Sequence, residues 1–278
     1  MKKILSLSFV LLVSLTLISS AGFAAKKDKK SSVKKNVKTE QKVKNNVRED
    51  KAFNLAVNSA SAGDFEATKN IIENSNIDIN QTDGNGTTLL MKACCNTNLD
   101  LVQYLIEKKA DITITDKNNY NALMYAIERS NIIDIVRYLF EDATVDVNQL
   151  TTDQAKLLSL AVKNNDIHVI RYLVENQGFE LSLPMDNEAT LLMLAAGYGN
   201  MDMVKYLIDN GVDVSAKDND GNNVLMYAIK SGNLDLVKFL VESSSIDINE
   251  KNNDNKSAKD IAIECNQVEI AKFLSQKV

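Results

Sequence analysis

Apolar residues recur along this chain in a pattern that repeats every 33 to 35 residues. An aromatic residue followed by Leu closes each repeat, at Tyr104, Tyr138, Tyr172, Tyr206, Phe239 and Phe273. An acidic residue between apolar or small neighbours forms a second column, at Asp78, Asp111, Asp146, Glu180, Asp213 and Asp247. Since two independent columns share one period, the pattern predicts an array of similar structural units.

Within one repeat the apolar spacing indicates two short helices. Leu123, Ala126 and Ile127 fall at i, i+3 and i+4, which is the apolar stripe of a helix. After a polar break, a more strongly apolar stripe runs from Ile132 to Phe140. Polar runs such as residues 83–87 separate the repeats and are typical of tight turns. Two short helices cannot bury their apolar faces alone, so the units are predicted to stack.

These units resemble the ankyrin repeat, in which a β-turn precedes two antiparallel helices. The stretches GTTLLMKAC from Gly86, EATLLMLAA from Glu188 and GNNVLMYAI from Gly221 match the family's G-x-T-P-L-H-x-A-A. GVDVS from Gly211 matches its G-A-D-V-N ending. The Pro of the motif is missing, and its His is replaced by residues such as Met91. The resemblance therefore implies that part of the hydrogen bonding between repeats is lost.

The resemblance implies an all-α repeat solenoid of about seven β-turn and helix-turn-helix units, stacked in a single curved array. The predicted units are residues 52–82, 83–115, 116–150, 151–184, 185–217, 218–251 and 252–278. The fourth is expected to be the weakest internal unit. Its residues 151–156 lack a turn Gly, and Ser159 stands where most other units have Met.

The N-terminal segment has the pattern of an export signal. Lys2 and Lys3 precede an uncharged, mostly apolar run from Ile4 to Ser19, which small residues around Ala24 follow. This predicts that residues 1–24 are a secretory signal peptide. The alternative, a transmembrane anchor, needs about 20 apolar residues, and this run is shorter. We therefore expect a periplasmic or secreted protein.

Charge divides the remainder of the chain. Residues 26–51 contain eleven Lys or Arg and four acidic residues, a net charge of +7, whereas residues 52–278 carry −14. Residues 25–51 are predicted to be a basic disordered linker. Residues 26–51 either make weak electrostatic contact with a membrane or cell wall or act only as a solvated spacer. Nucleic-acid binding is not expected, because no aromatic residues are interleaved with the Lys residues.

Candidate catalytic groups are few. The single His, His168, stands alone, and no motif of a nucleotide-binding protein, metalloprotease or serine hydrolase occurs. Cys265 belongs to the seventh unit and is too far from Cys94 and Cys95 of the second for a disulfide within the chain. We expect a monomer that is not an enzyme, with no cofactor and no metal site.

Residues that do no packing in the ankyrin pattern are candidates for binding another protein. At the hairpin tips they are Asn85, Lys117, Asn118, Tyr120, Asp153, Asn187, Asn219 and Asp220. On the exposed side of the first helices they are Glu128, Arg129, Lys163, Asn164, Tyr198 and Lys230. Tyr and Arg most often dominate binding energy, so Tyr120, Arg129 and Tyr198 are the leading candidates. The acidic surroundings predict a partner with basic character.

Three functions are compatible with these features. The leading hypothesis is a non-catalytic protein–protein interaction module that acts outside the cytoplasm, since seven repeats carry no catalytic constellation. The second is a structural spacer that residues 26–51 tether to the cell envelope. The third is a thiol-dependent contribution to oxidative defence through Cys94 and Cys95.

Overall fold

The computed structural model describes residues 49–129, 133–141, 153–243 and 246–277. The expected signal peptide and all but residues 49–51 of the expected linker lie outside the described residues, as do Asp146 and residues 151–152. The helical array belongs to residues 52–278, which form one compact unit.

The described helices of this array come in pairs, one pair in each repeat. The first helices are the described helical residues 49–61, of which 52–61 belong to the array, and Leu89–Cys94, Ala122–Ile127, Gln154–Lys163, Leu191–Gly197, Val224–Ser231 and Ala258–Glu264. The second helices are Phe65–Asn74, Leu99–Glu107, Ile133–Glu141, Ile167–Arg171, Met201–Asp209, Leu234–Ser243 and Val268–Ser275. The fourth of these continues as a π-helical turn, Tyr172–Asn176. The described residues form no strand, which confirms the predicted all-α fold. Within the described ranges, no helix is long and apolar enough to cross a membrane.

A polar capping residue precedes each first helix from the second unit to the seventh. These residues are Thr88, Asn121, Asp153, Thr190, Asn223 and Ser257, and each side chain accepts a hydrogen bond from a backbone N–H in the first turn. Such a cap typically contributes about 1 kcal/mol. In five of these six units the cap stands at the Thr position of the ankyrin motif. In the fourth unit Lys156 occupies that position, and the helix is capped three residues earlier, by Asp153.

The first helices of consecutive units pack on one another from the second unit to the seventh. Their shared Leu column is completely buried, at Leu90, Leu123, Leu158, Leu192 and Leu225. Each unit thus covers the apolar face of its neighbour, as the sequence pattern predicted. Because burial of a Leu side chain contributes about 2 kcal/mol, this column supplies a large share of the stacking free energy.

Asn side chains link successive units at the turn between the two helices. The amides of Asn98, Asn200 and Asn233 donate to backbone carbonyls of the preceding unit at 2.9 to 3.0 Å. The acceptors of the last two are Val162 and Gly199. These bonds connect neighbouring repeats. They provide hydrogen bonding of the kind that was expected to be lost because the His of the motif is replaced.

The closing aromatic residues of the fourth, fifth and sixth units stack against cations of the preceding unit. The guanidinium of Arg137 lies 5.5 Å from the ring centroid of Tyr172, and that of Arg171 lies 4.9 Å from the ring of Tyr206. The Tyr206 hydroxyl also donates to Glu175 at 3.4 Å. These aromatic residues therefore contribute to packing between units.

Hydrogen exchange is expected to be fastest in the fourth unit among the internal units. From the second unit to the seventh, the first helices of the third and fourth units make the least extensive contact. The tips of these two units are linked by Lys156 Nζ, which donates to the Asn118 carbonyl at 3.3 Å. Ser159 stands where most other units have Met, and its hydroxyl donates within its own helix, to the Lys156 carbonyl at 2.8 Å. Less apolar packing lowers the free energy of local opening, and a difference of about 1 kcal/mol makes opening about fivefold more frequent. Amide exchange measured by mass spectrometry tests this, and equal protection in units two to six would contradict it.

Candidate protein-binding groove

The turns at the tips of the second, third and sixth units are built around one Asp, at positions 83, 116 and 218. In the sixth unit the backbone N–H of Asp218 donates to the Asn222 carbonyl at 3.0 Å. Its carboxylate accepts from the backbone N–H groups of Asp220 at 3.0 Å and Asn222 at 2.7 Å. Burial opposes ionisation of Asp218, but these hydrogen bonds hold its pKa below the usual value. The ionised Asp therefore fixes the turn.

A side chain nine positions later completes each of these turns. Lys92 Nζ lies 3.6 Å from the Asp83 carboxylate, the Tyr125 hydroxyl donates to Asp116 at 2.8 Å, and the Tyr227 hydroxyl donates to Asp218 at 2.8 Å. Burial, together with the bond to Asp218, raises the pKa of Tyr227 to about 12. A polar pair thus joins each tip to its first helix.

The fifth unit replaces this polar pair with an apolar one. Met185 occupies the position of the Asp, and Leu194 stands nine residues later. Its tip also contains two consecutive residues other than Gly with positive φ, Asn187 at 61° and Glu188 at 57°. Positive φ places a Cβ in steric conflict with the backbone, and Asn tolerates it better than Glu. The fifth tip therefore lacks the stabilising polar pair, and it has two half-buried apolar side chains in its place.

These apolar side chains line a cavity of about 780 Å³ that extends over units three to six. We call it the tip groove. Its lining includes Tyr120, Asp153, Lys156 and Lys163 from units three and four, and Met185, Asp186, Leu194, Tyr198 and Tyr227 from units five and six. Four of the predicted binding residues, Tyr120, Asp153, Lys163 and Tyr198, are thus brought to one surface.

Tyr198 is the most exposed aromatic residue of the groove. Its side chain is 48% exposed, and it follows Gly197 at the end of a first helix. A Cβ at Gly197 would lie 3.3 Å from the ring of Tyr227, so the absence of a side chain there admits that ring from the next unit. Tyr198 and Tyr227 therefore form neighbouring parts of the groove wall.

Tyr120 packs more closely than the sequence predicted. Its ring is half-buried and makes an edge contact with Tyr125, with ring centroids 5.9 Å apart. Lys156 Nζ lies 4.3 Å from the ring centroid. Burial, and then Glu128, raises the pKa of Tyr120. The expectation that Tyr120 does no packing is wrong, and its ring is a supporting part of the groove wall.

Asn164 also departs from expectation, because its side chain is not on the exposed side of a first helix. It is half-buried, and its amide donates to the Ile127 carbonyl of the preceding unit at 3.0 Å. Glu128 is half-buried as well and lies 3.7 Å from Lys163 Nζ. Asn164 therefore connects two units, and this hydrogen bond is enough to explain why an Asn stands at this position.

The remaining predicted binding residues lie at the surface but outside the tip groove. Asn85, Lys117, Asn118, Arg129, Asn187, Asn219, Asp220 and Lys230 are all exposed. The Asn187 amide donates to the Asp220 carboxylate at 3.1 Å, so these two tip residues also contact each other. Lys230 Nζ lies 5.2 Å from the ring centroid of Tyr227.

The three cysteines are not joined in disulfides. Burial raises the pKa of Cys94, and burial also raises that of Cys95 against the opposing effect of Arg129. Cys265 is exposed and lies in the seventh unit. Because the thiolate is the reactive form, Cys94 and Cys95 are poorly suited to redox chemistry. The part of the chain that the structure describes holds no cluster of three or more His, Cys, Asp or Glu placed for a metal ion.

Sequence reasoning missed Met185, Leu194, Asp186, Lys156 and Tyr227 as groove residues. A signal for the first two was present, since the Asp at the tip and its partner nine residues later recur in the second, third and sixth units. In the fifth unit both positions hold an apolar residue, Met185 and Leu194. A paired comparison of these two positions across the repeats would have found the apolar section.

Replacing Glu188 by Gly is expected to stabilise the repeat domain by about 0.5–1 kcal/mol. Relief of the strain at positive φ outweighs the added flexibility of Gly in the unfolded chain. Urea unfolding followed by circular dichroism measures the change. Asn255 occupies the same turn position at φ 61°, and Asn255→Gly is the control that should give a smaller gain. An unchanged or lowered midpoint for Glu188→Gly would contradict the prediction.

Helix pairs stacked one per repeat, with hairpin tips beside the first helices, define a repeat solenoid. Family comparison agrees, since the model for ankyrin repeats matches three times, at residues 53–151, 158–252 and 213–278. The chain belongs to the ankyrin repeat family. Ankyrin repeats are generally protein-interaction modules.

The chain spans only a small part of the length of the curated relatives that it matches. The human NAD-capped RNA hydrolase NUDT12 is 38% identical over 69 residues, which are 25% of this chain and 15% of that protein. The mouse ankyrin repeat and SAM domain-containing protein 6 is 38% identical over 78 residues, 28% of this chain and 9% of that protein. The ankyrin repeat domain of human ASB11 aligns with a TM-score of 0.65 and 20% identity, over 80% of this chain and 97% of that chain. This structural likeness shows the fold.

Proposed function

We propose that this protein is a non-catalytic binding module that holds a partner protein in the tip groove. The observation that carries the proposal is the apolar section of the fifth unit. There Met185 and Leu194 replace the polar pair that stabilises other tips, and Tyr198 stands exposed beside them. Departures from locally stabilising sequence tend to occur at functional sites.

We further propose that the partner has basic character and that binding takes place outside the cytoplasm. The net charge of −14 on residues 52–278 supports the first statement, because complementary charge steers association and suppresses wrong partners. The secretory pattern of residues 1–24 supports the second.

Affinity purification of the tagged full chain, after mild cross-linking in the cells that produce it, tests this function. We expect one protein to be recovered in stoichiometric amount, and Tyr198→Ala to remove it. Repeated recovery of no stoichiometric protein would contradict the proposal.

The spacer function is a second candidate, because residues 26–51 carry a net charge of +7. Deletion of these residues separates the two functions. A spacer would leave the envelope fraction on deletion, whereas a binding module would keep its affinity for the partner. The thiol hypothesis is less well supported, because the pKa values of Cys94 and Cys95 are raised. Replacement of all three cysteines by Ser should leave partner capture unchanged.

A further inference from the structure

The apolar section of the tip groove is suited to one large side chain of a ligand. Met185, Leu194 and Tyr198 line this section, and Tyr227 borders it from the sixth unit. The Tyr227 hydroxyl is already committed to Asp218 at 2.8 Å, so the ring lines the wall while its polar atom is satisfied within the domain. A buried aromatic or long aliphatic side chain is the type of anchor that such a surface binds.

The charged groups of the groove differ in what they already contact. Lys163 pairs with Glu128, and Lys156 lies over the ring of Tyr120. Asp153 and Asp186 also line the groove and are exposed, and the described residues form no salt bridge with either carboxylate. One oxygen of Asp153 accepts the Lys156 backbone N–H at 2.9 Å, and among the described residues no hydrogen bond to its second oxygen is seen. The groove thus offers two carboxylates to a cation of the partner.

The dimensions favour an extended chain as the occupant. Packed helices lie about 8–10 Å apart, and an extended chain advances about 3.3 Å per residue, so about three residues of ligand span one repeat. Asp186 belongs to the same unit as Leu194, whereas Asp153 belongs to the unit before it. A cation beside the apolar anchor would therefore reach Asp186, and one about three residues away would reach Asp153.

We propose that the tip groove binds an extended polypeptide segment in which a large apolar or aromatic residue adjoins one Arg or Lys and lies about three residues from another. This inference rests on the proposed function and adds the chemistry of the partner. The apolar residue occupies the section around Tyr198, and the two cations pair with Asp186 and Asp153. Arg is favoured over Lys, because its planar group binds a carboxylate through two hydrogen bonds.

Selection from a phage-displayed library of random twelve-residue peptides, on the immobilised full chain, tests the proposal. Enriched peptides are synthesised, and their dissociation constants are measured by fluorescence anisotropy. The test variant is the double substitution Asp153→Asn and Asp186→Asn. Asn is also a good helix cap, so the backbone contact of Asp153 is kept. The control is Asp100→Asn with Asp202→Asn, which removes the same charge from exposed positions on second helices.

We expect the enriched peptides to share the apolar and basic spacing and to bind the test variant at least about tenfold more weakly, while the control variant changes affinity less than about twofold. Failure to enrich such peptides, or an equal loss in both variants, would overturn the inference. Capture of the natural partner that needs Tyr198 but not Asp153 or Asp186 would also overturn it and leave the proposed function standing. Capture that is insensitive to Tyr198→Ala would instead remove the proposed function.

Discussion

Tyr198→Ala is expected to weaken partner capture by about 30-fold or more, while the thermal midpoint of the repeat domain moves by less than about 2 °C. A binding hot spot contributes about 2 kcal/mol or more, and Tyr is among the residue types that most often supply it. The Tyr198 side chain is 48% exposed, so its removal uncovers little of the core. Its backbone N–H donates to the Leu194 carbonyl at 3.1 Å, a bond that Ala retains.

Two controls separate the loss of a contact from a loss of structure. Tyr198→Phe keeps the ring and should retain most of the affinity if the ring packs against the ligand. Ile263→Ala shortens a side chain that is 57% exposed on the seventh unit, outside the tip groove, and should not affect capture. Tyr120→Ala, by comparison, is expected to lower the thermal midpoint, because its ring contacts Tyr125 and Lys156. An unchanged affinity of Tyr198→Ala would place the interface elsewhere.

Asp218→Ala is expected to destabilise the repeat domain by about 2–3 kcal/mol. The nearly buried carboxylate accepts from two backbone N–H groups, from the Asn222 amide at 3.1 Å and from the Tyr227 hydroxyl. Removing it leaves buried donors without partners, which costs about 1–3 kcal/mol. Urea unfolding at neutral pH measures the change. Asp218→Asn should cost about 1 kcal/mol, since an amide oxygen still accepts a backbone hydrogen bond. Asn252 occupies this position in the seventh unit and accepts backbone N–H groups with its amide oxygen.

The loss of stability caused by Asp218→Ala should become smaller as the pH falls. The folded-state pKa of Asp218 lies below its usual value, so the ionised carboxylate stabilises the fold. This contribution is complete above the unfolded pKa of about 3.9 and is lost as the pH falls through the lower folded pKa. The difference in the free energy of unfolding between the variant and the natural protein should therefore shrink as the pH falls below 4. A difference that stays constant from pH 7 to pH 3 would show that the charge does not matter.

Much of the fold could be predicted from the sequence, because in a stacked array each unit meets the same packing demands as its neighbours. The Leu column at Leu90 and its equivalents is apolar in every internal unit, and it is completely buried. The contribution of Asn could not be predicted in this way. Asn98 and Asn233 act through single hydrogen bonds to backbone carbonyls of the preceding unit, and composition alone does not reveal such partners.

The candidate site could be predicted only in part. Repeat register placed Tyr198 at the surface correctly, since its side chain is 48% exposed. Register did not reveal that Tyr120 is half-buried beneath Lys156 or that Asn164 reaches the preceding unit. Those contacts depend on the side-chain rotamer and on the residues of the neighbouring unit. The position of a residue within the repeat specifies neither of them. The apolar section at Met185 required the geometry of the tip as well.

Site-specific photocross-linking tests the central claim most directly. A photoreactive benzoylphenylalanine is placed at position 198 of the full chain, and in a second variant at position 268, where Val268 is 72% exposed on a second helix outside the tip groove. Irradiation in the cells that produce the protein is expected to give one discrete protein adduct from position 198 and none from position 268. Adducts from position 268 alone, or the same adducts from both positions, would contradict binding in the tip groove.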